Sequence, residues 1–312
     1  CGGYRNFCNK LWNASRFVLM NMEAYEAIDV KDDLTLVDYW IISRLNETIE
    51  DVTNNLEMYD YGEAAKHLYE FIWDDFCDWY IELAKPRLFR PANNHEKLVV
   101  QNVLRNVLIN TLRILHPFMP FITEEIYQYL PNHNQTIMLD KWPLSDKEQI
   151  WPNALEDMQN IMQVIRGIRN IRAEFNVNPG AKIEAILVIR DEDKKKMFAN
   201  NSSYIKSLAN VSQLDIESEL ESKPRQAVSA HTPLVEIYVP LEGVIDVDKE
   251  IARLEKDLQS AEKDLTKASN KLKNEKFMAK APAEVVAKEK AKAEEAKLKK
   301  EGIEKRLQIL KS

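Results

Sequence analysis

Apolar positions recur with helical spacing through most of the first 130 residues. In "GYRNFCNKLWNASRFVL", Tyr4, Phe7, Cys8, Leu11, Ser15 and Val18 gather on one side of a helix, which predicts a helix over 4–22. Leu36, Trp40, Ile41, Leu45 and Ile49 predict a second over 35–57. Ala65, Leu68, Ile72, Phe76, Trp79 and Leu83 predict a third over 62–85, ended before Pro86. A fourth over 94–115 ends before Pro117, and a short fifth follows Pro120. Short polar connections between such helices make a bundle, assigned to residues 1–145. Trp142-Pro143 and Trp151-Pro152 bracket a stretch with little periodicity, expected to be a linker.

A helix over about 153–175 then carries the basic run "RGIRNIRAEF". After "NPG" the period changes: "KIEAILVI" at 182–189 and "LVEIYV" at 234–239 are rich in branched residues and predict strands, with polar helical stretches between them. This gives a small α/β module over 146–243. Beyond it, Ile251, Leu254, Leu258, Ala261, Leu265, Ala268 and Leu272 alternate spacings of three and four, the heptad of a coiled coil. After a break at "NEKFMAKAP" the heptad resumes at Val286, Ala293, Ala296, Ile303, Leu307 and Leu310, with Glu289 and Lys300 as polar exceptions. Two arms of similar length joined by a Pro-containing turn predict an antiparallel coiled-coil hairpin over 244–312, folded near residue 279. The fold class is therefore mainly α: a helical bundle, a small α/β module and the hairpin.

Two apolar residues do not fit their helices. Phe17 lies with Asn6, Lys10 and Asn13, away from the core stripe, and Ile81 lies opposite its own stripe with Glu70, Asp74 and Cys77. Phe17 alone could pack on a neighbouring helix. Two such residues on polar faces also fit a surface that reads unstacked bases, with an apolar platform for the ring and amides and cations at its edge.

Charge sharpens this picture. The net charge of −7 is uneven: residues 244–312 hold 18 Lys and Arg against 14 Asp and Glu, and the remainder holds 25 against 36. The basic excess sits on the hairpin, where a polyanion would be met. Arg166, Arg169 and Arg172, spaced by three, form a further basic strip that can equally pair with acidic residues. Catalytic chemistry finds no foothold. The glycines at 62, 167, 180 and 243 are isolated, the five histidines lie far apart, and Cys1, Cys8 and Cys77 have no paired spacing. Asp74 and Asp78 share a helix face that reads as solvated. No run of about 18 apolar residues suggests a membrane span. The chain opens on Cys1-Gly2-Gly3 with a helix already under way, which suggests part of a longer, cytoplasmic protein.

Four stretches carry a resemblance. "GYRNFCNKLWNASRFVL" at 3–19, "FIWDDFCDWYIELAKPRL" at 71–88, "ILHPFMPFITEEIYQYL" at 114–130 and "KFMAKAPAEVV" at 276–286 together resemble the C-terminal part of bacterial valyl-tRNA synthetases. The third is shared with other class I synthetases, including those for leucine and isoleucine; the others are more specific to the valine enzymes. The resemblance implies an anticodon-binding bundle, a small module and a tRNA-binding coiled coil. It places ATP, Mg and catalysis in a Rossmann domain with HIGH and KMSKS motifs, neither of which occurs here, so no catalytic, cofactor or metal residue is expected in this chain. It also implies a stacking aromatic against the middle anticodon base at Phe17, within "NASRF", and an apolar anticodon contact at Ile81, within "CDWYI". Position on the stripe adds Lys10 and Asn13, with Arg16 as a phosphate contact. At the outer corner of the tRNA the matching basic positions are Lys267 and Lys292, which an antiparallel hairpin brings side by side. The expected partner is tRNA(Val), with neither DNA nor membrane, and the expected state is a monomer. The alternatives are the same region of an isoleucine or leucine enzyme, or a non-enzymatic coiled-coil module that docks a protein.

Overall fold

The computed structural model describes residues 2–220, 222, 224, 226–274 and 281–311. The chain forms two compact units, Cys1–Asn160 and Ile161–Ser312. The expected fold-back near residue 279, with most of "KFMAKAP", lies outside the described residues, as does Cys1.

The first unit is helical, as its apolar spacing predicts. Its helices are α1 (Gly2–Met20), α2 (Leu36–Glu57), α3 (Tyr61–Glu70), α4 (Ile81–Phe89), α5 (Asn94–Leu115) and α6 (Pro120–Tyr127). Side-chain caps fix the starts: Thr35 and Asp38 form a reciprocal box at α2, and Asn93 accepts from the Glu96 N–H at α5. Leu11, Val18, Ile41, Val52, Leu104 and Leu108 lie in the core. Tyr4, expected on the core stripe, is instead 84% exposed, because contact with α3 begins only at Phe7, which stacks on Tyr69. Ala14 completes the stripe.

Between α3 and α4 the residues Phe71–Tyr80 form a π-helix, so α3, this segment and α4 are one continuous rod. Two expectations are corrected along this rod, the second by the wider turn. Ala65 is exposed and Ala64 buried, and Ile81, expected on the polar face, is only 5% exposed. At α-helical pitch Ile81 would lie about 140° around from Phe76. In the π ladder the Ile81 N–H instead bonds the Phe76 carbonyl, which brings position 81 back beneath a core residue.

The rod also runs through Pro86 rather than ending before it. The turn beyond the proline is held by tertiary contacts: Arg87 donates to the buried Asp38 carboxylate at 2.7 Å and to Thr35 Oγ1 at 3.1 Å, and Tyr80 donates to Asp38 at 2.8 Å. Leu88 is buried beside them. A proline inside a helix costs about 3 kcal/mol, a cost these contacts offset.

The stretch expected as a linker is irregular but strapped along α2. Trp142 Nε1 donates to Thr53, the Asp146 N–H to Asn46 and the Trp151 N–H to Ser43, while Trp151 packs edge-on against Tyr39. Polar residues on α2 thus serve a loop rather than solvent. Upstream, Asp140 accepts from Arg113 at 2.6 Å and Tyr127 at 2.7 Å, and also from Asn134. Burial alone would raise its pKa; these hydrogen bonds outweigh burial and hold it below the usual carboxylate range.

Helix α7 (Pro152–Glu174) enters the second unit at Ile161. There four strands, β1 (Ile183–Val188), β2 (Val211–Glu217), β3 (Ala227–His231) and β4 (Glu236–Pro240), form a sheet of order β2-β1-β4-β3. β1 and β2 are parallel, joined through α8 (Glu192–Asn200) and α9 (Ser202–Ala209); β4 is antiparallel to both its neighbours. The two strands predicted from sequence are the central pair. The edge strands β2 and β3 fall where polar helical stretches alone were expected, since their solvent-facing positions dilute the apolar signal. Gly167 lets α7 lie close on the sheet: a Cβ there would meet Ile237 Cδ1 at 2.8 Å.

Helices α10 (Val247–Lys273) and α11 (Ala283–Lys311) form the hairpin. Lys271 pairs with Glu289, Lys300 with Glu262 and Lys311 with Glu255, so one number falls as the other rises and the arms are antiparallel. Leu254, Ala261 and Ala268 are buried on one arm and Glu289, Ala296, Ile303 and Leu310 on the other, each series spaced by seven. Leu307 is buried as well, and the other heptad positions, Leu258, Leu265 and Ala293 among them, are half-buried, as suits a seam only two helices thick. Among the described residues no helix is long and apolar enough to cross a membrane.

Candidate nucleic-acid interface

In the first unit α1 runs alongside the rod of α3, the π-helix and α4, in the same direction. Phe7 meets Tyr69, Lys10 meets Trp73 and Asp78, and Phe17 meets Lys85 and Phe89. The polar stripe of α1 read from sequence therefore borders a surface shared by two helices.

Its two ends differ. At the first, Tyr69 stacks on Trp73 at 5.5 Å, and Lys10 Nζ lies 3.7 Å from the Trp73 ring centre and 2.6 Å from Asp78. Lys10 is thus engaged within the protein. Cys77 sits below, and burial pushes its thiol up to about 12, with Asp78 adding to burial and Lys10 opposing it. At the second end, half-buried Phe17 meets Phe89 edge-on at 6.1 Å. Phe89 is 62% exposed, and Lys85 Nζ lies 5.6 Å from the Phe17 ring centre, within reach of a cation–π contact. Asn13 is exposed on the same stripe of α1. Lys85 also pairs with Glu82 at 2.5 Å, so its cation, like Lys10, has a partner within the protein. This end brings together an aromatic pair, an amide and a cation, the set that holds an unstacked base and its phosphate.

The structure therefore gathers Phe17, Asn13 and Lys10 along one border. Ile81, expected as an anticodon contact, is buried in the core instead of facing solvent. Arg16 is not brought to it. Arg16 is exposed on another side of α1, where it lines a cavity of about 280 Å³ with Trp12, Met20, Glu125 and Tyr129. Lys85 and Phe89 were missed by sequence reasoning, although their spacing of four continues the stripe from Cys77 and Ile81.

On the hairpin, Lys267 and Lys292 come together as expected, lining one groove of about 360 Å³ from opposite arms. Lys271 and Lys299 line it too; they escaped notice, although Lys271 is four residues from Lys267 and Lys299 seven from Lys292. The floor is Ala261, Ala268, Ala296 and Glu289. Lys267 is 3.8 Å from Asp264, and Lys292 is 3.1 Å from Glu289.

The three arginines of α7 divide. Arg172 donates to the carbonyls of Asn178, Pro179 and Asn210, and Arg169 to that of Leu208, so both tie loops to the helix. Burial lowers the pKa of Arg172. Arg166 lines a cleft against Ser229–His231 of β3. Among the described residues no group of three His, Cys, Asp or Glu side chains is placed to hold a metal ion.

The sequence that builds this bundle and hairpin matches known families. Residues 38–187 match the family described as the anticodon-binding domain of tRNA ligase, and residues 246–311 match the valyl tRNA synthetase tRNA binding arm. The class is thus that of the aminoacyl-tRNA synthetases, in the part that carries RNA-binding domains. The chain is 45% identical over 308 residues to a valine–tRNA ligase of Oceanobacillus iheyensis, covering 98% of this chain and 35% of that protein. It is 46% identical to that of Bacillus licheniformis over 98% of this chain, and 47% identical to that of Carboxydothermus hydrogenoformans over 99%, each across 35% of the relative. The chain belongs to the valine–tRNA ligase family, and it spans about a third of the length of these relatives.

Proposed function

We propose that this chain is the tRNA-binding part of a valine–tRNA ligase whose intact form activates valine with ATP and Mg and charges tRNA(Val). In this reading the bundle receives the anticodon loop. Phe17, backed by Phe89, stacks on the middle anticodon base; Ile81 packs in the core of the bundle, Asn13 meets base edges, and Lys85, leaving Glu82, meets phosphate. Lys10 joins them by leaving Asp78, and Arg16 contacts backbone on the neighbouring side of α1. The hairpin lies along the outer corner of the tRNA, with Lys267 and Lys292 on its phosphates. The protein is taken as a cytoplasmic monomer that binds neither DNA nor membrane.

The observation that supports this reading most is near-unbroken similarity along the chain, with an anticodon-binding match and a binding-arm match in that order. Binding energy collected here, remote from the chemistry, would hold the acceptor end at the active site and lower the entropic cost of transfer.

The test is binding of this chain to a tRNA(Val) transcript and to one with its middle anticodon base changed, at two salt concentrations. Tighter, salt-sensitive binding to the native anticodon is expected, because lysine and arginine contacts release counterions. Salt-insensitive binding, or none to either transcript, would overturn the reading.

A further inference from the structure

The groove on the hairpin has an unusual floor. Heptad core positions are apolar in a coiled coil, and a polar one costs stability in exchange for a fixed register. Glu289 occupies such a position and is 7% exposed, in the same layered series as Ala296, Ile303 and Leu310. In the register of the buried positions it falls opposite Ala268, whose small side chain leaves room for a carboxylate on the seam. Two lysines reach over the groove walls to it, one from each arm. Lys292 donates to Glu289 Oε1 at 3.1 Å and Lys271 donates to the same oxygen at 3.3 Å. Lys267 and Lys299 line the walls with Asp264 and Glu295, and these two carboxylates stand at the rim while Glu289 lies on the buried seam. The cations expected to meet a polyanion are thus gathered around an anion that the protein itself supplies.

We propose that Glu289 is an internal counterion of the arm: it occupies Lys271 and Lys292 in the free protein and yields them to RNA phosphates on binding. The inference rests on the reading of the hairpin as a tRNA-binding arm and adds to it a positioning residue and two further cations. Any polyanion must displace the carboxylate before it gains these lysines. A loosely fitting one, which meets one lysine at a time, gains less from the exchange than a backbone that meets both. Glu289 therefore lowers affinity for all RNA and lowers it most for the wrong RNA. Glu262 and Glu304 hold Lys300 further along the hairpin, but Lys300 lies outside this groove.

The test uses the whole chain with a tRNA(Val) transcript and with poly(A), each titrated across a range of salt. Glu289→Gln removes the charge and keeps the shape; Glu289→Leu restores an apolar heptad position and is read if the glutamine variant loses helicity. Either variant is expected to bind tRNA(Val) about three- to tenfold more tightly at low salt, and poly(A) with a larger gain, both gains shrinking as salt rises. Adding Lys271→Gln to Glu289→Gln should remove most of the gain, which a purely structural role for Glu289 would not require. Unchanged or weaker binding by a variant of full helicity overturns the proposal. A Lys267→Gln/Lys292→Gln chain separates the two levels. If it loses tRNA affinity while the Glu289 variants bind as wild type, only the counterion fails; if it too binds as wild type, the arm reading fails.

Discussion

Phe17 was legible because an aromatic ring on a polar helix face breaks a pattern that is otherwise regular, and the structure leaves its ring half-buried with an exposed neighbour at Phe89. Phe17→Ala should weaken tRNA(Val) binding by about 1–3 kcal/mol, the usual worth of one base stack, without changing helicity; equal binding by both proteins would remove the stacking role. Ile81 broke its pattern for a different reason. Its misfit came from assuming one pitch throughout the rod, and the π turn removes the misfit by burying it. The same sequence signal thus had two physical origins, and only coordinates separate them. Arg87 was hidden by the proline before it. Arg87→Met would leave the Asp38 carboxylate buried without its cation and should cost about 3–5 kcal/mol, read as a lowered urea midpoint for the helical unit.

At the scale of elements, the helices were legible almost to the residue where caps and prolines frame them, as at Leu36–Glu57 and Asn94–Leu115. Edge strands were not, because half of each faces solvent and their pairing partners are distant in sequence. Irregular segments are held by side chains whose titration should be visible. Asp140 and Glu124 pin the 134–140 stretch, and in both cases burial acts to raise the pKa while hydrogen bonds win and lower it: from Tyr127, Asn134 and Arg113 to Asp140, and from Thr136, Gln128 and the Ile137 N–H to Glu124. The folded state therefore holds protons on these groups less readily than the unfolded chain. Their contribution to stability is full above the ordinary carboxylate pKa of about 4 and is lost as pH falls through the lowered values. Thermal unfolding followed from pH 6 to pH 3 should show a falling Tm, and Asp140→Asn should flatten that fall; an unchanged slope would remove Asp140 from the acid response.

Over the whole molecule, the heptads announced the hairpin and its antiparallel register because both arms repeat the same simple rule. A groove with a carboxylate floor was not legible, since Glu289 reads from sequence as a flaw in the heptad and acquires meaning only when lysines from both arms are seen to meet it. The hairpin's tie to the α7 end, Arg306 to Glu174 at 2.6 Å, joins surfaces that are exposed to solvent. Removing 244–312 should accordingly leave the cooperative unfolding of the helical unit in place while weakening tRNA affinity. Loss of that transition would contradict the division at Asn160.

The π-helix also constrains how this chain can vary in length. A segment whose ladder closes one residue late carries, in effect, one residue more than an α-helix would need to join the same two ends. At ordinary α pitch the same ten residues would turn everything after them around the axis. Ile81 would swing outward and Arg87 would lose Asp38, while Lys85 and Phe89 would leave Phe17 together. A one-residue deletion between Phe71 and Tyr80 therefore lets the rod close as an α-helix with its two ends still in phase, whereas one between Ile81 and Lys85 turns the bordering surface away.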